Sequence, residues 1–245
     1  MSETTPYDTM FSGVIGQDYE MLKQLAPLTV EMSRLVGVTV ADYPKPADQP
    51  LDVVELGGGT GMTTLALLAA RSGIHILSVD NEPVMQDQAK KSLQQWQQQG
   101  KLSFCTADAL AALAQLPPHS ADVVASAYTL HNFPRHYRQQ VLNEAFRVLK
   151  PGGQFVNGDR YALDDIDQHT RLTQHEVGHY FRILTEAGKL DLLEHWIVHL
   201  FSDESENHIM RETAALNQLE TAGFTGMTLA HRNAVNALVT ATKPV

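Results

Sequence analysis

The stretch "VVELGGGTGMTT", Val53 to Thr64, constrains this chain more than any other: an apolar segment with strand character runs into a glycine-rich turn that opens a helix. Glycines directly after a buried strand let the backbone turn tightly and approach a ligand. Gly57, Gly59 and Gly61 make G-x-G-x-G, and Met62 stands where the dinucleotide fingerprint requires its last glycine. Glu55 sits at the strand's end, where a carboxylate repels a pyrophosphate and attracts an ammonium group.

Around this turn, apolar runs alternate with amphipathic stretches, the pattern of βαβ units and a parallel sheet. The expected strands are "LDVVEL", "IHILSV", "KLSFCT", "ADVVASA" and "GQFVNG", with "FTGMTLAHRN" and "AVNALVTATKP" as a closing hairpin. Between the second and third strands, Pro83 marks a helix start and Gly100 a stop. Proline-rich "DYPKPADQP" reads as a linker after a helical N-terminal segment. With 245 residues, 43% of them hydrophobic, one large domain with a single good core is expected. Its parts are an N-terminal segment and linker (1–50), a ligand-binding core (51–160), a helical insertion (161–211), and a final helix with the hairpin (212–245).

Asp80 closes the second strand, 19 residues beyond Gly61, where a carboxylate can accept hydrogen bonds from both ribose hydroxyls of a nucleoside. Asp108 follows the third strand and suits an exocyclic amine. Each acid alone reads as a helix cap or turn residue. Together with Glu55 they place three carboxylates at successive strand ends, on the edge where open α/β sheets bind ligands.

A net charge of -10, a pI near 5.5 and the lack of any Lys/Arg run argue against nucleic-acid partners. The lone Cys105 allows no intrachain disulfide and suits a reducing compartment. No stretch reaches about 18 apolar residues, so no membrane partner and a cytoplasmic location are expected.

The insertion holds six of the 11 histidines, and "HEVGH", His175 to His179, matches the zinc-hydrolase pattern H-E-x-x-H. The longer form of that pattern fails because Arg182 replaces its glycine, and no third ligand is singled out by spacing. A zinc hydrolase is thus a remote reading, and no metal is expected. His175/His179 and His195/His199 form two i, i+4 pairs, each able to project to one side of a helix. The plainer reading is that these are polar flanks of cap helices, since the apolar spacing explains the helices without chemistry.

In order along the chain, "VVELGGGTG", "LSVDNEP", "CTADAL", and "ADVVASAYTLHNF" followed by "VLNEAFRVLKPGGQFV" closely resemble the class I S-adenosylmethionine-dependent methyltransferases. The resemblance covers Leu51 to Gly158, and "LETAGF" with the hairpin extends it. It implies a Rossmann-like, seven-stranded, mostly parallel sheet with an antiparallel last strand. A helical cap is expected between strands five and six. By position, Glu55 would meet the methionine ammonium of S-adenosyl-L-methionine, directly or through water. Gly57, Gly59 and Gly61 would admit the methionine part, Asp80 would bind the ribose, and Asn81 would lie beside the adenine. Asp108 and Ala109 would read the adenine edge, and Tyr128 would pass along the cofactor. Tyr19 is the aromatic expected to cover it.

Such a chain would transfer a methyl group to an O, N, S or C nucleophile of a small molecule. His131, just past strand four, is the expected base, and Asn132, Asp159, Arg160, His175 and His179 are expected to line the substrate site. Asp159 and Arg160 read equally as a surface ion pair. The cap and N-terminus are also weakly similar to carboxy-S-adenosylmethionine synthase, which implies non-methylating chemistry on the same cofactor as the alternative. No counterpart of that enzyme's carboxylate-binding arginine is evident.

Overall fold

The computed structural model describes residues 28–46 and 49–245; Tyr19 lies outside the described residues. Helix α1 (Leu28–Ala41) leads to β1 (Leu51–Leu56), α2 (Met62–Ala70), β2 (Ile74–Asp80), α3 (Pro83–Ser92), the short α4 (Gln94–Gln98) and β3 (Leu102–Thr106). Next come α5 (Ala109–Gln115), β4 (Ala121–Ala127), a 3-10 turn (Leu130–Asn132), α6 (Arg135–Val148) and β5 (Leu149–Arg160). The chain ends with α7 (Ile166–Glu186), α8 (Leu190–Asp203), α9 (Glu212–Ala222), β6 (Thr225–Asn233) and β7 (Asn236–Thr242).

The sheet order is β3-β2-β1-β4-β5-β7-β6. β1 to β5 are parallel, whereas β7 runs antiparallel to both β5 and β6. The expected seven-stranded sheet with an antiparallel last strand is therefore present, and α7 and α8 form the helical cap between β5 and β6. All of β4 and nearly all of β1 are buried, as strands covered on both faces must be. α1 and α2 cover one face through Val36, Leu67 and Leu68; α5, α6 and α9 cover the other through Leu113, Val141 and Leu219. The strand order reverses between β1 and β4, which opens a crevice above their carboxyl ends.

Two boundaries differ from the sequence reading. The helix expected up to Gly100 breaks at Leu93, whose side chain turns inward against Gly61, where a Cβ would stand 2.8 Å from Leu93 Cδ1. β5 begins at Leu149, ahead of Pro151, because Leu149 already pairs with Ala121 before the register shifts and Gln154 meets Val123.

One charged group lies in the core of β1. Glu55 is fully buried; its Oε2 accepts from Thr64 Oγ1 at 2.6 Å, and its Oε1 has no hydrogen-bond partner among the described residues. Burial pushes its carboxyl up to about 7, although hydrogen bonds from Thr64 and Ser78 pull the other way.

α1 and α2 pack tightly where they cross. A Cβ on Gly37 would lie 2.7 Å from the Ala66 carbonyl oxygen, whereas one on Gly178, on the exposed side of α7, would meet nothing. Gly37→Ala is expected to lose about 1–3 kcal/mol despite better helix propensity, and Gly178→Ala to gain up to about 1 kcal/mol, both read from urea unfolding. Glu55 gives a pH-dependent prediction. Between the ordinary carboxyl value of 4.5 and about 7, the folded protein keeps a proton that the unfolded chain releases, so this group costs stability as pH rises through that window. Glu55→Gln should remove that cost, leaving the variant about 2–3 kcal/mol more stable relative to wild type at pH 8 than at pH 4.5. Parallel stability curves for the two proteins would refute the assignment.

Candidate active site

A cavity of about 450 Å³ runs from the glycine turn after β1 to the underside of the cap. Gly57 and Gly59 line its sheet end with positive φ values of 72° and 51°. A Cβ on Gly57 would overlap Thr129, and one on Gly58 would overlap Ser78, so this floor is bare backbone by steric necessity. Glu55 does not itself line the cavity. It lies directly beneath Gly58, whose added Cβ would come within 3.2 Å of Glu55 Oε2. Gly61 also lies behind the wall, with φ 92° at the start of α2.

Asp80, at the end of β2, does line the cavity. Its two oxygens accept the Gly59 N–H at 2.7 Å and the Glu82 N–H at 2.8 Å, so the carboxylate fastens the glycine turn and keeps lone pairs for a ligand. Asn81 beside it has a buried Oδ1 with no partner among the described residues. Asp108 behaves differently: it caps α5 by accepting the Ala111 N–H and also takes the Tyr137 hydroxyl. Its neighbours Ala107 and Ala109 form the wall there. Tyr128 lines the cavity in a left-handed conformation, φ 50°, which is costly for an aromatic residue, and its hydroxyl donates to Asn236.

At the cap end, His131 projects from the 3-10 turn after β4. Its Nδ1 lies 2.6 Å from Asp159 Oδ1. Asp159 is wholly buried behind it and does not reach the cavity. Burial alone would raise this carboxyl, but the His131 ring and hydrogen bonds from His131, the Arg160 N–H and Asn157 hold it below the usual range. An ionised partner makes Nδ1 a hydrogen-bond donor, and Nε2 is the nitrogen turned toward Asp203. Asn132 lines the cavity and donates to the Tyr128 carbonyl, with its Oδ1 unpartnered among the described residues.

Arg160 is not part of a surface pair. Its guanidinium is largely buried, and its two terminal nitrogens reach Glu176 at 2.7 and 3.0 Å. Glu176 accepts the Tyr180 hydroxyl as well. This fork joins the end of β5 to α7 and occupies the glutamate of "HEVGH". His175 and His179 both line the cavity, His175 largely exposed and His179 half-buried.

Sequence reasoning named His199 only as half of an i, i+4 pair and did not name Asp203; both line the cavity from α8 together with Trp196. The i, i+4 pair His195/His199 divides: His195 is exposed against the Asp191 carbonyl, and His199 is buried. A signal was present, because Leu192, Trp196, His199 and Asp203 recur at helical spacing, which sets a histidine and an aspartate on the buried stripe of an amphipathic helix.

Residues 54–157 match the sequence profile of a family described as "Methyltransferase domain". Carboxy-S-adenosyl-L-methionine synthase of Erwinia tasmaniensis is 25% identical over 150 residues, 60% of this chain, and the aligned region spans 58% of that relative's length. Among solved structures, the CurJ carbon methyltransferase superposes with a TM-score of 0.69 at 16% identity, covering 95% of this chain and 60% of that one. Human N-acetylserotonin methyltransferase, solved with S-adenosylmethionine, gives 0.62 at 19% identity over 100% of this chain and 61% of its own. An S-adenosylmethionine-dependent methyltransferase of Thermotoga maritima gives 0.59 at 16% identity over 97% and 99%. Residues 54–157 thus match a methyltransferase domain, and the chain has the fold seen in S-adenosylmethionine-dependent methyltransferases.

Proposed function

We propose that the protein transfers the methyl group of S-adenosyl-L-methionine to a nucleophile of a small molecule held beneath the α7/α8 cap. The observation that carries this reading is that the glycine turn, Asp80 and His131, which Asp159 holds from behind, open into one cavity. The sheet end fits the cofactor: a bare backbone floor, an aspartate with spare acceptor capacity and an unpartnered amide oxygen on Asn81. Gly57 and Gly59 would admit the methionine part, Asp80 would take the ribose hydroxyls and Asn81 the adenine. Glu55 would act through the gap left by Gly58, where a nearby ammonium would draw its carboxyl back toward the ionised form. Ala109 would flank the adenine, with Asp108 shaping the turn as a cap, and Tyr128 would contact the cofactor.

Bound there, S-adenosylmethionine supplies an electrophilic methyl carbon. The chain's own work is to align an acceptor with that carbon, exclude water and present a lone pair near the acceptor. His131 Nε2 offers that lone pair, with its orientation and tautomer set by Asp159. Asn132, His175, His179 and Tyr180 surround the acceptor space. Carboxylation of the cofactor is less well supported. Arg160 is the only Arg or Lys among the cavity-lining residues described, and its fork already holds Glu176.

Titration calorimetry should show S-adenosylmethionine binding that weakens about 10–100-fold in Asp80→Asn, as expected for loss of a charge-assisted hydrogen bond. His131→Asn keeps an N–H where Nδ1 donates to Asp159 but removes Nε2. It should leave cofactor affinity unchanged and lower kcat about 100-fold or more. Product mass spectrometry distinguishes a demethylated cofactor from a carboxylated one. No cofactor binding by the folded wild type would overturn the reading.

A further inference from the structure

We propose that His131, His199 and Asp203 form a binding site for one divalent transition-metal ion at the cap end of the cavity. One donor atom from each lies within 4.8 Å of the other two. His131 Nε2 stands 3.9 Å and His199 Nε2 3.6 Å from the same oxygen, Asp203 Oδ2. All three side chains are more than nine-tenths buried, and all three face the cavity. Donors at about 2.1 Å from a shared ion lie roughly 3.0–3.4 Å apart, so the trio needs to contract by about 1 Å or less on most edges.

Three further observations point to a cation. The Asp203 Oδ1 atom is buried with no hydrogen-bond partner, an expensive arrangement for a carboxylate that nothing else in the cavity offsets among the described residues. His131 is held at Nδ1 by a carboxylate that accepts its proton, the support that metal-binding imidazoles characteristically have. Finally, the charges around the trio do not balance. Four carboxylates, Asp159, Asp203, Glu176 and Glu204, are set against two guanidinium groups, Arg160 and Arg138, the latter acting on Asp159, with His169 against Glu204. Arg160 Nε lies 3.9 Å from Asp203 Oδ2, but its terminal nitrogens are committed to Glu176, so Asp203 is left with only a distant share of that charge.

Two imidazoles and one carboxylate suit iron(II), cobalt(II), zinc(II) or manganese(II), and three protein donors leave coordination positions open toward the cavity. Those positions would take an acceptor bearing two adjacent oxygen donors, such as a 2-oxo acid or an enediol. This statement about the acceptor rests on the methyl-transfer reading, whereas the ion site does not. His131 would then act on the acceptor through the ion rather than as a free base.

The test is a cobalt(II) titration of metal-stripped, full-length protein without S-adenosylmethionine, followed by visible absorption and calorimetry. Wild type should bind one equivalent and develop ligand-field bands. Asp203→Asn and His199→Ala should each weaken binding by about 100-fold or more, and Asp159→Asn by about 10–100-fold. His175→Ala and His179→Ala should leave the titration unchanged. Far-UV circular dichroism of each variant separates loss of the site from loss of the fold. An absence of cobalt binding by wild type would overturn the proposal, as would binding that survives in both Asp203→Asn and His199→Ala or disappears in His175→Ala. Because the titration contains no S-adenosylmethionine, its failure is distinct from a failure of cofactor binding.

Discussion

The Asp159 carboxylate, wholly buried at the end of β5, accepts hydrogen bonds from His131 Nδ1, the Leu130 and Arg160 N–H groups and the Asn157 amide. A buried carboxylate is tolerable only when its lone pairs are taken up in this way. The four donors come from the turn after β4 and from β5, so one charge fixes how two adjacent strand ends depart from the sheet. The orientation of His131, the left-handed Tyr128 and the direction in which Arg160 leaves the strand all follow from it. Tyr161, whose hydroxyl accepts from Asn157, extends the same polar network beneath the cavity.

From there the constraint passes to the cap through Arg160. α7 and α8 carry only a small apolar core, built on Tyr180, Leu184, Leu193, Trp196 and Leu200. Such a hairpin has too little buried area to fix its own position over a sheet. The Arg160 fork on Glu176, the Tyr180 hydroxyl on the same carboxylate and the His169–Glu204 contact at 2.6 Å supply directional links instead. Breaking one partner of a buried pair typically costs about 3–5 kcal/mol because the other charge is left uncompensated, so these directional links set the cap's orientation where apolar contacts alone would not. The result is a partly enclosed space with a local dielectric below that of water, where charge placement has larger effects than at the surface.

How much of this is legible in the sequence depends on the distance over which each feature is determined. Strand ends and the glycine turn are local: the runs "LDVVEL" and "ADVVASA" became strands with the expected bounds, and Asp80 reached the cavity. The direction of a side chain at a strand end is not local. Glu55 points beneath the turn, because residues along a strand alternate faces, and contact is made through the gap at Gly58. Asp108 is drawn away by the Ala111 N–H and by Tyr137, a residue 29 positions downstream. His199 and Asp203 were least visible, because their partner His131 lies far back in the chain and only the packed cap brings them together.

"HEVGH" shows the same point from the other side. Its spacing is right for metal chemistry, and α7 does set His175 and His179 one turn apart facing the cavity. The motif's glutamate, however, must be free to activate water, and Glu176 is instead clamped by a guanidinium and a phenol hydroxyl. Burial pushes that carboxyl up, but Arg160 more than reverses the effect and holds it below its usual range, so it is a weak base. A five-residue pattern on one helix specifies donor atoms but not the charges that tertiary packing brings against them. The trio at His131, His199 and Asp203 has no sequence motif at all. Its donors come from two elements, they converge on one oxygen of a buried carboxylate whose other oxygen has no hydrogen-bond partner among the described residues, and carboxylates outnumber cations around them. Convergence and charge imbalance are the physical requirements of a cation site, and they are met one helix away from the motif that advertises it.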